Sequence, residues 1–157
     1  MKKILNLIGC VAFCFILSAC SKAEVEEKTL TCTLHKKDVI NNYELNSTYK
    51  VYAKGDAVNK VETTEIVTSD SATVIDYFEE TLNSTYKAMN DAYGGYDYEI
   101  TKEEGKVTSI TIINYNELNL NQLANDDASM KLILNDNNQV TVNGLTSLYQ
   151  QMGAECN

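Results

Sequence analysis

The segment "SDSATVIDYFEETLNSTYKAMNDAYGG", residues 69–95, decides the fold, because here the chain changes its hydrophobic period. Val74, Phe78, Leu82, Tyr86, Met89 and Tyr93 recur at helical spacing, with Ile75 beside them. A stripe of this kind predicts one long amphipathic helix laid on a core. Ser69, Asp70 and Ser71 are N-cap residues by type, since their side-chain oxygens accept from the free amides of a first turn. Gly94-Gly95 supplies the stop. Asp76, Glu79 and Glu80 fall on the wet side of the wheel.

On either side of this segment the period is two. In "KTLTCTLHK" (28–36), Leu30, Cys32 and Leu34 alternate with Thr29, Thr31 and Thr33, the pattern of a half-buried strand. "YELNSTYKVYAKGD" (43–56) alternates through Tyr43, Leu45, Tyr49, Val51 and Ala53 with one slip of phase, and ends at a Gly-Asp turn. "AVNKVETTEIVTS" (57–69) is a third strand rich in Val and Thr. After the helix, "YDYEITKEEGKVTSITIINY" (96–115) predicts a hairpin turning at Glu103-Glu104-Gly105, its second strand led by Val107, Ile110 and Ile112. "ELNLNQLAND" (117–126) suggests one or two helical turns. "MKLILNDNNQVTV" (130–142) reads as a second hairpin, and "GLTSLYQQMG" (144–153) as a closing helix with Leu145, Leu148 and Met152 inward. The expected fold class is α+β: an antiparallel sheet with one long amphipathic helix packed across it and a short C-terminal helix. The hexapeptide "LNSTYK" occurs at 45–50 and 82–87. Its flanks differ in period, so the first copy is expected as strand, the second as helix, and no repeat architecture follows.

The N-terminus obeys different rules. Met1-Lys2-Lys3 is basic, and "ILNLIGCVAFCFIL" is an apolar run too short to span a bilayer comfortably. It leads into Leu17-Ser18-Ala19-Cys20, which resembles the lipobox of bacterial lipoproteins, where the cysteine takes a diacylglyceryl group and becomes the first residue after cleavage. The expected organisation is a signal peptide at 1–19, a lipidated tether at 20–28 and a domain at 29–157. "SKAEVEEK" is polar enough to be such a tether. Paired acyl chains give stable anchoring at about 0.8 kcal/mol per buried CH₂. With Cys10 and Cys14 in the signal and Cys20 lipidated, Cys32 and Cys156 remain. Outside the cytoplasm this even pair is expected to form a disulfide, the alternative being two buried free thiols.

Charge narrows the partners. The formal net charge is -9, every positive side chain is Lys, and Lys2 and Lys3 belong to the segment to be lost. A surface this acidic, without Arg, argues against nucleic acid as a partner and against electrostatic attraction to anionic lipid. The membrane is therefore reached through covalent lipid on Cys20. The absence of Arg and the many Asn match the codon bias of a low-GC host.

Chemistry is sparse. His35 stands alone among threonines, and no GxSxG, HExxH or phosphate-binding glycine loop occurs. The acid pairs Glu26-Glu27, Glu79-Glu80, Glu103-Glu104 and Asp126-Asp127 are sequence neighbours, which rarely face one site. "NDNNQVTVNG" begins like a calcium loop but has Val140 where glycine is needed and Thr146 where glutamate is needed, so it reads as a turn. No catalytic residue, metal or cofactor is expected. "AYGGYDY" places Tyr93, Tyr96 and Tyr98 around Gly-Gly. Such rings with polar tips suit carbohydrate or peptide contacts; the plainer reading is tyrosines reaching out from the core edge.

Taken together, "LSAC", "YKVYAKGDAVNKVETTEIV", the helix and "YGGYDYEITKEEGKVTSITIINYNELNLNQL" resemble the YehR-like family of small bacterial lipoproteins, over roughly residues 40–153. Asn114, the ending Gly153-Ala154-Glu155-Cys156 and the cysteine pair depart from the family pattern. The resemblance implies an α+β domain on the outer face of a membrane and brings no active site. The expected function is a membrane-anchored, non-catalytic binding module for an envelope protein, peptide or glycan, or else a structural envelope lipoprotein.

Overall fold

The computed structural model describes residues 27–157; the expected signal peptide, Cys20 and most of the tether lie outside the described residues. Glu27 and Lys28, assigned above to the tether, already belong to the first strand.

Strands β1 (Glu27–Asp38), β2 (Tyr43–Lys54) and β3 (Ala57–Thr68) form an antiparallel meander. The β1–β2 turn is set by Asp38, whose carboxylate accepts from the amides of Ile40 (3.0 Å) and Asn41 (2.9 Å). The β2–β3 turn uses Gly55 at φ 65, where a side chain would be strained. Helix α1 (Ala72–Tyr93) follows, then β4 (Tyr96–Glu103) and β5 (Lys106–Asn114). β5 pairs antiparallel with both β3 and β4. β3 and β4 therefore run in the same direction with β5 between them, so their link must cross the sheet, and α1 is that link. Gly95 starts β4 at φ 71 with its backbone so close to Asn114 that a Cβ would stand 2.8 Å from the Asn114 carbonyl oxygen.

Helix α2 (Leu120–Asp126), a 3₁₀ turn at Ala128–Leu132, helix α3 (Val142–Gln151) and the two-residue strand β6 (Glu155–Cys156) complete the chain. The sheet order is β4-β5-β3-β2-β1-β6. β6 is held on β1 by Thr31 and Asn157, which exchange both backbone hydrogen bonds, and by the Cys32–Cys156 disulfide.

Both helices cover the same face. Tyr86 of α1 reaches Glu65, and Leu145 and Tyr149 of α3 share a core with Val61, and residues 61 and 65 of one strand point the same way. α1 lies over β4 and β5, whereas α3 seals Tyr49, Val51, Ala53, Val58 and Val61 together with Ile133 and Val140. Burial of Leu145 alone contributes roughly 2 kcal/mol. The opposite face of the sheet carries threonines, charged residues and Ile66, Ile110 and Ile112.

In β5, Ile110 and Ile112 lie on that opposite face, Ile110 being 47% exposed, while Val107 points inward with Ser109 and Thr111. Two expectations are corrected. Residues 130–142 are not a two-stranded hairpin: Asp127 accepts from the Ser129 amide (2.8 Å) and hydroxyl (2.7 Å), winding the first half into 3₁₀. What survives is a single Leu134–Val140 bridge around an Asn135 turn. Met152 lies past the end of α3 and is 52% exposed; Tyr149 takes the inward place instead.

Candidate functional site

The four central rows of the inner face can be read across β5, β3 and β2. They are Ile113–Val61–Val51, Thr111–Thr63–Tyr49, Ser109–Glu65–Ser47 and Val107–Val67–Leu45. The outer two are aliphatic, as a core requires. The middle two are polar, and at their centre β3 presents a carboxylate, Glu65, to the layer where the helices pack.

Tyrosines surround it. From α1, the Tyr86 hydroxyl donates to Glu65 Oε2 at 2.8 Å, and its ring lies 5.7 Å from that of Tyr98 on β4. On the β2 side, Tyr49 and Tyr149 stack with centroids 4.3 Å apart and planes 16° from parallel. Burial pushes the Tyr86 hydroxyl well above the ordinary tyrosine range, and the Glu65 charge pushes the same way. Tyr149 is raised by burial first, then by the proximity of Tyr49 and Glu65. Tyr49 follows the same direction, again chiefly through burial. Tyr49 and Tyr86 come from the two copies of "LNSTYK", one in strand and one in helix.

Ser47, Tyr49, Thr63, Ser109 and Thr111 around Glu65 are buried, but Glu65 itself stays partly accessible. It stands on β3 within reach of α1, through Tyr86. Tyr86 is its hydrogen-bond donor, and Oε1 accepts from no group among the described residues. Ser47, its register partner, is 3% exposed, and its hydroxyl makes no hydrogen bond among the described residues. It lies near enough to the Tyr49 hydroxyl to ease that group's ionisation slightly. Such a cluster can accept hydrogen bonds and hold positive charge against aromatic rings.

The sequence-predicted residues fall out as follows. Tyr98 belongs to the cluster, and Tyr96 lies on the same inward face of β4, its hydroxyl raised by burial. Tyr93 donates to Asp126 of α2 at 3.2 Å and lies close enough to Tyr96 to add to the rise of its hydroxyl. Cys32 and Cys156 are bonded. Sequence reasoning missed Glu65, Ser47, Tyr86 and Tyr149 as a group. The available signal was a run of polar residues at inward phases: Ser47, Thr63, Glu65, Ser109 and Thr111.

No family model and no curated protein matches this chain. Two solved structures share its fold. The NMR structure of the Escherichia coli YehR protein superimposes with a TM-score of 0.56 at 16% identity, over 85% of this chain and 92% of that one. The NMR structure of a protein from Streptococcus pneumoniae TIGR4 gives 0.50 at 12% identity, over 100% of this chain and 94% of that one.

Proposed function

We propose that this chain is a YehR-like lipoprotein, anchored by lipid on Cys20 to the extracytoplasmic face of a bacterial membrane, and that its domain binds rather than transforms a ligand. The anchor reading is carried by "LSAC" at the end of a short apolar run behind a basic start. Among the described residues no helix is long and apolar enough to cross a membrane. From Cys20 to the start of β1 the tether reaches at most roughly 25 Å. The binding reading is supported by Glu65, a single carboxylate whose neighbours are hydroxyl groups and tyrosine rings.

Radioactive palmitate should label the wild type in cells, and Cys20→Ser should abolish labelling and leave an uncleaved precursor. Continued labelling of the variant would sink the anchor. Crosslinking in intact cells followed by pull-down identifies what the domain holds.

A second reading, a structural lipoprotein that docks on other envelope proteins, is favoured by the β1–β2 turn. Val39 is 80% and Ile40 95% exposed there, with exposed Tyr77 also on this side of α1, beside Phe78 and Tyr43. This tip lies a full strand length, roughly 36 Å, from where the tether enters. If it is the docking surface, Ile40→Ser removes the crosslinked partner while Glu65→Gln keeps it; the binding reading expects the reverse.

A further inference from the structure

The two faces of the sheet carry the same chemical motif in two states of completion. On the open face, the Tyr52 hydroxyl donates to Glu62 Oε2 at 2.8 Å, and the Lys60 ammonium donates to Glu62 Oε1 at 2.8 Å. That ammonium also lies 4.2 Å over the Tyr52 ring. Tyrosine, carboxylate and cation thus close a triad in which the cation satisfies one oxygen and rests on the aromatic face. On the inner face, Tyr86 and Glu65 reproduce the tyrosine–carboxylate half at the same 2.8 Å. The cation is missing: the lysines that form ion pairs near α1 are Lys102, held by Asp76 and Glu79, and Lys87, held by Asp91. No Lys or His of the described residues lies within ion-pair distance of Glu65.

We infer that the inner site takes its cation from outside, as the ammonium group of an organic ligand. Three observations converge. Glu65 is half-buried, and its Oε1 accepts no hydrogen bond among the described residues. Ser47, paired with Glu65 across the strands, holds a hydroxyl oxygen that is buried without a partner in the same row. Such orphan groups are costly in a folded core and are expected to be satisfied by something. The half-buried rings of Tyr86 and Tyr98, centroids 5.7 Å apart, supply the aromatic surface. A neutral sugar could stack on the rings but would leave a half-buried charge uncompensated; an ammonium does both. A net charge of -9 raises the local concentration of cations around the protein.

This inference rests on the binding reading above and names the ligand class. The test uses the full-length chain in neutral detergent, with intrinsic tyrosine fluorescence as the signal, since the sequence has ten Tyr and no Trp. The probes are n-butylamine, tetramethylammonium, n-butanol, glucose and a blocked Gly-Lys-Gly peptide, titrated at constant ionic strength and neutral pH. Saturable binding is expected for the cations and not for n-butanol or glucose. Glu65→Gln, which keeps the side-chain shape, should weaken it about tenfold or more, the loss expected for a charge-assisted hydrogen bond. Tighter binding of the peptide than of n-butylamine assigns the ammonium to a lysine side chain, and equal binding assigns it to a free amine. Circular dichroism of each variant separates lost binding from lost folding; if Glu65→Gln fails to fold, Glu65→Asp, with a shortened reach, takes its place. Glucose binding as tightly as the amine, cations acting equally on wild type and Glu65→Gln, or no saturable response would each overturn the inference. A partner crosslinked in cells by a protein that ignores amines would leave the binding reading intact and remove this one.

Discussion

Cys32 and Cys156 are direct register partners across β1 and β6, their Cα atoms 4.0 Å apart, joined by a disulfide that spans 124 residues of sequence. Cys32 is fully buried in the main core, so the bond fastens the C-terminus to the middle of the first strand. β6 has two residues, too few to hold by hydrogen bonds alone.

Replacing the pair by Cys32→Ala and Cys156→Ala should therefore lower stability by about 3–5 kcal/mol, the range for removing a bridge that closes so long a loop. Urea denaturation of oxidised and variant protein measures it. A midpoint unchanged within error would show that the bond adds nothing beyond the packing of β6. Peptide mapping without reductant should show one linked pair.

Gly144 sits in the first turn of α3, where helix propensity favours alanine by about 1 kcal/mol. Contact reverses the sign. A Cβ there would stand 2.6 Å from Ile133 Cα and 2.8 Å from Thr141 Oγ1. That oxygen caps the helix, accepting from the Gly144 amide at 3.0 Å while its hydroxyl donates to the Ile133 carbonyl at 3.1 Å. Gly144→Ala is expected to cost about 1–3 kcal/mol, as overpacking does. A thermal midpoint at or above that of the wild type would refute the close approach.

Glu65 should be a stability liability. Glu65→Leu combined with Tyr86→Phe removes a half-buried charge and its donor together, leaving neither partner orphaned. The double variant should be as stable as the wild type or more stable by about 1 kcal/mol, whereas Glu65→Leu alone, which strands the Tyr86 hydroxyl, should be less stable than the double. Differential scanning calorimetry orders the three proteins. If the double variant is the least stable, the polar rows serve the fold and not a ligand.

Alkali should unfold the protein earlier than its core predicts. Burial raises the hydroxyls of Tyr49, Tyr86, Tyr96, Tyr115 and Tyr149 above the ordinary value of about 10. These groups prefer the neutral form more strongly folded than unfolded. Their contribution is fully present below about pH 10 and is lost as pH rises through the raised folded values. Phenolate absorbance should show a subset of the ten tyrosines titrating late and together with loss of the circular dichroism signal. Ten tyrosines ionising together near the ordinary value in a folded protein would contradict it.

The helix and the meander were legible because each repeats its period for many residues. Val74 to Tyr93 completes several helical turns, and Leu30, Cys32 and Leu34 alternate without a slip. β5 was harder, since Ile110 and Ile112 form as apolar a phase as Val107 and Ile113, and only the pairing with β3 tells which side is inward. β6 has no period at all; the cysteine count was its sole trace. Glu65 escaped because its strand looked ordinary taken alone. Its polarity becomes informative when Ser47 and Ser109 are seen to stand beside it from strands far apart in sequence. A lateral row of this kind exists in the sheet and nowhere along the chain.

The bridge at Cys32 also defines how the domain bears a load. A pull applied through the chain before Glu27 reaches the covalent ring after the first few residues of β1, and everything from Cys32 to Cys156 lies inside that ring. Tension from that side can peel only the leading end of one strand. Glu65 and its neighbouring tyrosines, the central strands and both larger helices are all within the protected circuit, so a domain held at its N-terminal end can be tugged without losing the shape of its interior.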